Sequence, residues 1–159
     1  MSPEIETLAA TIERELSLLR ELAGDLIDCR KAFTGMNLDG IYTHVAKQAL
    51  LCDKLQKAEE ERVRIWQQEV AKTSAPAAGA DLRAWIERQD PAVALRLRAL
   101  LTELVVAEGE VRNLNRVHRL LIDGSRKTLK VLTNALAAFH PTYPAPPTAK
   151  PFSTAGARP

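Results

Sequence analysis

The C-terminal half of the chain carries one apolar stripe whose members recur at alternating steps of four and three residues. No proline interrupts the stripe. Its members are Val93, Leu97, Leu100, Leu104, Ala107, Val111, Leu114, His118, Leu121, Ser125, Thr128, Leu132, Ala135 and Phe139. Alternating steps of four and three are typical of a coiled-coil seam. The pattern therefore predicts one helix over residues 91–139, about 74 Å long at 1.5 Å per residue.

Two further long amphipathic helices are predicted before this stripe. The first covers residues 3–33, where Pro3 suits a first turn and early acidic residues favour the positive end of the helix dipole. The second covers residues 38–72, with Asn37 as its N-cap. Its apolar face is expected to comprise Leu38, Ile41, Val45, Cys52, Leu55, Trp66 and Val70. Because only a short break separates the two helices, we expect an antiparallel hairpin.

The segments around the last helix are rich in small residues or proline. Residues 73–80 predict a linker, and a short helix is expected over residues 81–89. The Asp90-Pro91 pair then predicts the cap and first residue of the last helix. Six of the nine prolines lie within residues 141–159, which predicts a disordered or polyproline-like tail. The predicted fold, over residues 1–140, is all-α: an elongated antiparallel bundle of three long helices and one short helix with coiled-coil-like packing.

Composition and charge narrow the class of protein. The chain has 159 residues, of which 46% are hydrophobic and only 4% aromatic, as expected for one helical domain. Its net charge of +2 combines 22 basic and 20 acidic residues, so no overall field attracts nucleic acid or membrane. No apolar run approaches the length of a membrane span, and the N-terminus is acidic where a signal peptide is basic. The sequence thus predicts a cytoplasmic protein without stable membrane insertion. Cys29 and Cys52 are expected to be buried, reduced thiols.

Patterns for catalysis or metal binding are weak. A di-metal helical bundle needs a glutamate three residues before an inward histidine, but at the three histidines of this chain that residue is Ile, Asn or Ala. There is no glycine-rich phosphate loop and no histidine placed to activate a nucleophile. His118 lies on the apolar seam, where we expect a buried polar pair with Asn115. The sequence therefore predicts a protein that is not an enzyme and that has no cofactor and no metal.

Helix lengths predict an uncovered end on the last helix. If this helix runs back antiparallel to the second one, about 35 residues exhaust that partner, and the part from about Arg126 onward has none. That part still displays Leu129, Leu132, Leu136 and Phe139. An apolar helix face without a partner is a candidate docking surface for an incoming amphipathic helix. The alternatives are that the first helix, the loop or a second copy of the chain covers it, the last of these giving a homodimer.

The same helix carries a basic face on its outer side. Its six members are Arg112, Arg116, Arg119, Arg126, Lys127 and Lys130. Between residues 110 and 130 only Glu110 and Asp123 oppose them, which leaves a local excess of four positive charges. This face favours, as an alternative function, a structural or regulatory coiled-coil protein that binds an acidic partner or nucleic acid. Because no aromatic residues are interleaved to stack bases, nucleic acid is not the expected partner.

Several short pieces of sequence occur in an order that resembles a known family. They are Leu22-Ala-Gly-Asp-Leu26, Lys47-Gln-Ala-Leu-Leu51, Glu59-Glu-Glu-Arg62, Asn113-Leu-Asn115-Arg, Leu120-Leu121 and Thr142-Tyr143. The first follows an acidic, leucine-rich stretch, and the last comes just after the final helix. With these pieces the chain is similar to the FlgN-type flagellar export chaperones, and the resemblance covers residues 5 to 143.

The resemblance implies a cytosolic, non-enzymatic chaperone for the hook-associated proteins that join the flagellar hook to its filament. Such a chaperone holds the helical terminal segment of its client, prevents premature assembly and delivers the client to the export gate of the flagellar type III apparatus. The client-binding surface implied by the resemblance comprises Leu121, Leu129, Leu132, Leu136 and Phe139. Docking at the export gate is implied for Tyr143. Where relatives carry a glycine after this tyrosine, this chain has Pro144-Ala-Pro-Pro147.

Overall fold

The computed structural model describes residues 3–72 and 82–139 of the chain. Its four helices are α1 (Pro3–Thr34), α2 (Leu38–Lys72), α3 (Leu82–Ile86) and α4 (Pro91–Phe139). The described ranges contain no strand, so the predicted all-α class with three long helices and one short helix is confirmed. The predicted linker, the proline-rich tail and Tyr143 lie outside the described residues.

The turn between α1 and α2 closes through local hydrogen bonds. The backbone N–H of Asn37 donates to the carbonyl of Ala32 at 2.9 Å, which satisfies the end of α1. Met36 has a φ of 55°, in the left-handed region that glycine adopts most readily. The Asn37 side chain then accepts a hydrogen bond from the Gly40 N–H at 3.0 Å and caps α2, as the sequence predicts. The chain thereby reverses its direction within a few residues.

Helices α1 and α2 pack against each other as an antiparallel hairpin. Lys72, at the end of α2, pairs with Glu4 at the start of α1, with 3.0 Å between Nζ and Oε1. Lys47, near the start of α2, pairs with Glu21 farther along α1 at 3.2 Å. Because the partners advance in opposite directions, the two helices are antiparallel along most of their length.

Helix α4 runs alongside α1 through its first half. Arg96 pairs with Glu6 at 3.3 Å and with Glu13 at 3.0 Å. Farther along both helices, Arg20 of α1 pairs with Glu103 of α4 at 2.8 Å. Since the partners advance in the same direction, this part of α4 is parallel to α1 and antiparallel to α2.

Apolar side chains from all four helices form the core. The largest fully buried ones are Leu8, Ile12, Cys29, Ile86 and Leu97. Burying one such aliphatic side chain stabilises a fold by about 1.5–3 kcal/mol. Helix α3 has only five residues, yet it contributes both Trp85 and Ile86 to this core. Burial of these two side chains, rather than helix length, therefore holds α3 in place.

The buried face of α2 differs from the predicted one. Leu38, Val45 and Cys52 are exposed, so their assignment to the buried face was wrong. The fully buried members of the true stripe include Leu51, Ala58 and Ile65, and the half-buried members between and before them are His44, Gln48, Leu55 and Arg62. The prediction followed apolar residues alone, whereas three positions of the true stripe are polar and have partners on α1.

Both cysteines are free thiols, but only one of them is buried. Burial raises the pKa of the Cys29 thiol, the nearby Asp25 raises it further, and a hydrogen bond with Gln48 works in the opposite direction. Cys52 is exposed because the buried stripe of α2 passes through the preceding residue, Leu51. The expectation of two buried thiols therefore holds for Cys29 only.

Contacts divide the chain into two units, residues 1–120 and residues 121–159. The core and the α1–α2 hairpin belong to the first unit. Among the helices of the described ranges, none has the length and apolar character needed to cross a lipid bilayer.

Candidate helix-docking site

The described part of the second unit is the last stretch of α4, from Leu121 to Phe139. Every side chain from residue 126 to residue 138 is exposed. The large apolar side chains in this range are Leu129, Val131, Leu132 and Leu136. An exposed apolar residue is ordinary when it stands alone, but a row of them on one helix is typical of an interaction surface.

Three of these leucines share one side of the helix. They stand three and four residues apart, which places Leu129, Leu132 and Leu136 in neighbouring turns of the same face. Their exposed fractions are 59%, 54% and 61%. The seam residues Leu97 and Leu104 in the first unit are only 1% and 4% exposed. The same spacing of leucines thus belongs to a core in one unit and to a surface in the other.

The predicted client-binding residues fall into three groups. Leu129, Leu132 and Leu136 are exposed, whereas Leu121 is half-buried. Phe139 is the last residue of α4, and its side chain lies outside the described set. Tyr143 also lies outside the described residues, so docking at the export gate stays a prediction.

Two apolar residues of this surface were not predicted. Ile122 is at the margin of exposure and Val131 is well exposed. Both stand next to a seam position rather than on it, about 100° around the helix from Leu121 and Leu132. A search that accepted any apolar residue within the uncovered end would have found Val131, whereas Ile122 precedes Arg126, where that end was expected to begin.

Local composition explains why this stretch is helical. Leucine, alanine, lysine and arginine dominate it, and all four are strong helix formers. The Thr128 hydroxyl donates to the Gly124 carbonyl at 3.1 Å, and the Thr133 hydroxyl donates to the Leu129 carbonyl at 2.8 Å. The threonines therefore turn their polar groups back onto the helix and leave the leucine face apolar.

The charge of this stretch is one-sided. Arg126, Lys127 and Lys130 are exposed, and Asp123 is the only acidic residue from 121 to 138. Within the described part of the chain, none of the three cations has a carboxylate at ion-pair distance. The apolar face is therefore bordered by positive charge that the described residues do not neutralise.

The three upstream members of the predicted basic face are also exposed. Arg112 and Arg119 have no carboxylate partner among the described residues. Arg116 donates to the Asn113 side-chain oxygen at 3.0 Å. All six cations predicted for this face are thus open to solvent.

His118 does not form the expected pair with Asn115. Its ring instead packs edge to face with that of Phe33, with 6.3 Å between ring centroids and 66° between ring planes. Its Nδ1 atom is buried and has no hydrogen-bond partner in the described structure. The pairing was wrong because Asn115 stands next to the seam position Leu114 and faces solvent.

An ion pair between buried Glu15 and half-buried Arg62 lies inside the hairpin, at a position that the sequence analysis missed. Arg62 Nε donates to Glu15 Oε1 at 2.8 Å and to Glu15 Oε2 at 3.1 Å. Burial raises the pKa of the Glu15 carboxyl above its usual 4.5, against the lowering effect of Arg62. The negative charges of Glu59 and Glu108 raise it a little further. In the folded chain, ionised Glu15 is therefore less favourable than in water, even with its partner.

The free energy of unfolding is expected to fall as the pH rises through the folded-state pKa of Glu15. The folded chain holds this proton more tightly than the unfolded chain, so the stabilisation is complete below about pH 4 and is lost above the raised pKa. Urea unfolding of the wild type and of Glu15→Gln, at pH values from about 4 to 7, measures the effect. The free energy of unfolding of the wild type minus that of Glu15→Gln should decrease as the pH rises. An increase would contradict the prediction.

A second polar cluster lies nearer the turn of the hairpin. The buried carboxylate of Asp25 has His44 Nδ1 at 2.8 Å, accepts from Gln48 Nε2 at 2.9 Å and has Lys47 Nζ at 3.7 Å. Both of its oxygens are satisfied, so the cluster aligns the two helices rather than offering a free base. In the part of the chain that the structure describes, no three His, Cys, Asp or Glu side chains come together as a metal site requires. The sequence signal for both clusters is the polar interruption of α2 at Gln48 and Arg62.

Comparison with protein-family models, with curated proteins and with solved structures finds no match to this chain.

Proposed function

We propose that this chain is a cytoplasmic export chaperone, not an enzyme, that binds the helical terminal segment of flagellar hook-associated proteins. It prevents their premature assembly and delivers them to the export gate of the flagellar type III apparatus. The observation that carries the proposal is the continuous exposure of residues 126–138 with Leu129, Leu132 and Leu136 on one face. A surface of this kind suits an amphipathic partner helix. The flagellar identity of the client rests on the sequence resemblance.

The expected strength of binding suits a delivery role. A client helix along Leu129, Leu132 and Leu136 would bury several hundred Å² of apolar surface, at about 25 cal/mol per Å². Much of this gain is offset because association and helix ordering remove conformational freedom. The complex should therefore be of moderate affinity, so that the client can be released. Tyr143 is proposed as the contact with the export gate on the basis of the resemblance alone.

Recovery of partners from a lysate of the source organism tests the proposal. The intact chain and a version ending at Thr128 are used in parallel, because the truncation removes all three leucines. We expect the intact chain alone to recover a hook-associated protein, identified by mass spectrometry. Recovery of nucleic acid or an unrelated acidic protein by both versions would overturn the proposal.

One observation favours a second candidate function. The six cations from Arg112 to Lys130 are exposed and have no carboxylate partner among the described residues. This would suit a structural or regulatory coiled-coil protein that binds an acidic partner or nucleic acid. Binding that weakens steeply between low and moderate salt would favour this candidate, since apolar helix docking depends only weakly on salt.

A further inference from the structure

We propose that the helix bound by the exposed leucine face is acidic along one flank, with Asp or Glu side chains that meet Arg126 and Lys130. This inference rests on the proposed function and specifies the chemical class of the partner. The partner is thus an amphipathic helix with an apolar stripe and a carboxylate row beside it.

The position of the two cations supports this assignment. At 3.6 residues per turn, Arg126 lies about 60° and Lys130 about 100° around the helix from Leu129, the nearer edge of the leucine face. From Leu132, the farther edge of that face, the angles are about 120° and 160°. Because they are four residues apart, they form one row parallel to the helix axis. Their long aliphatic stems allow the charged groups to reach the edge of the leucine face. A helix docked on the leucines would therefore bring its own flank closest to Arg126, with Lys130 one turn farther along and farther around the helix.

Pairing of this face with the same face of a second copy does not supply the missing negative charge. In a parallel pair, Arg126 and Lys130 of both copies would lie side by side and repel. In an antiparallel pair centred on Leu132, they would face residues 134–138, which contain no carboxylate. Neither arrangement neutralises the row.

Residues 140–159 do not supply it either. Residues 140–159 contain Lys150 and Arg158 but no Asp or Glu. A separate partner with carboxylates is therefore the occupant that fits the charge of the surface.

An anionic membrane surface shares the charge of such a partner, but the spacing favours a helix. Leu132 continues the four-and-three seam whose earlier members, Leu97 and Leu104, pack against helices in the first unit. A lipid surface requires only a broad apolar face, commonly with tryptophan, and residues 121–138 contain none.

Two synthetic peptides test the proposal with the full-length chain. Both have about 18 residues, the length that matches residues 121–138, and both carry the same leucine stripe at four-and-three spacing. One has glutamate at the flanking positions and the other has lysine. Fluorescence anisotropy at about 0.15 M salt should show the glutamate peptide binding roughly 10-fold more tightly.

Charge reversal on the chain makes the test specific to the row. The double variant Arg126→Glu/Lys130→Glu should invert the preference and favour the lysine peptide. The matched control Arg112→Glu/Arg116→Glu changes the net charge equally and should keep the preference for the glutamate peptide. Circular dichroism establishes that both variants are folded.

The outcomes separate this inference from the proposed function. Equal binding of both peptides, or the same change of peptide preference in both double variants, would overturn the proposal that the partner helix has an acidic flank. The proposed function would still stand if the intact chain recovers a hook-associated protein. Preference for vesicles of phosphatidylcholine and phosphatidylglycerol over either peptide would overturn the inference in favour of a membrane surface. If neither peptide binds and no hook-associated protein is recovered, both proposals fail.

Discussion

Leu132→Asp is expected to abolish binding of the client helix while the chain stays folded. Leu132 is exposed in the free chain, so the substitution removes no core contact. In the complex it would replace a buried leucine, worth about 1.5–3 kcal/mol, with a carboxylate surrounded by apolar groups. Together these effects exceed about 3 kcal/mol, which corresponds to at least about 100-fold weaker binding. Titration with the glutamate peptide measures the loss, and circular dichroism measures the helical content.

Leu95→Asp is the matched control for this prediction. Leu95 is 69% exposed, lies on the same helix and belongs to the first unit. The same change of leucine to aspartate there should leave peptide binding unaltered. Loss of helical content in Leu132→Asp would instead show that Leu132 belongs to a core. Equal loss of binding in both variants would show that the effect is not local to the leucine face.

Arg62→Ala is expected to lower the free energy of unfolding by about 3 kcal/mol at neutral pH. The substitution leaves Glu15 buried without its cation, and removing one partner of a buried pair is strongly destabilising. Glu15 can escape part of this cost by taking up a proton. Protonation at about pH 7 of a group with an ordinary pKa of 4.5 itself costs about 3 kcal/mol, which limits the total. Urea unfolding monitored by circular dichroism measures the change.

Two controls decide whether the loss comes from an unpaired buried charge. Glu15→Met/Arg62→Met removes both charges at similar volume, and it should be at least as stable as the wild type because ionised Glu15 is unfavourable in the fold. Arg14→Ala removes an exposed cation that pairs with Glu61, and it should change stability by less than about 1 kcal/mol. If Arg62→Ala is as mild as Arg14→Ala, the account of the buried pair is wrong.

The sequence predicted the helices well because their ends carry local chemical signals. Asp90-Pro91 opens α4 and Asn37 caps α2, so both starts could be inferred without tertiary information. The buried face of α2 was not predictable in this way. Gln48 and Arg62 look like interruptions of an apolar face until their partners Asp25 and Glu15 are brought opposite them. Those partners lie on another helix, and nothing in the spacing within α2 reveals them.

The candidate site was predicted mainly from lengths. Helix α2 has 35 residues and α4 has 49. Exposure of every side chain begins at Arg126, the residue from which the length argument expected no partner. Ile122 was missed because it precedes Arg126, and Val131 was missed because it lies off the face that Leu129, Leu132 and Leu136 share. Phe139 and Tyr143 stay predictions, since their side chains lie outside the described residues.

The polar clusters inside the hairpin restrict how α1 and α2 can slide past each other. Leucine spacing alone would be largely satisfied after a shift of one heptad, about 10 Å along the helices. The same shift would separate Arg62 from Glu15 and His44 from Asp25 and leave two carboxylates buried without partners. Each unpaired buried carboxylate costs several kilocalories per mole, which is comparable with the whole free energy of unfolding of a small domain. Misaligned hairpins would therefore be unstable even before α4 packs against them.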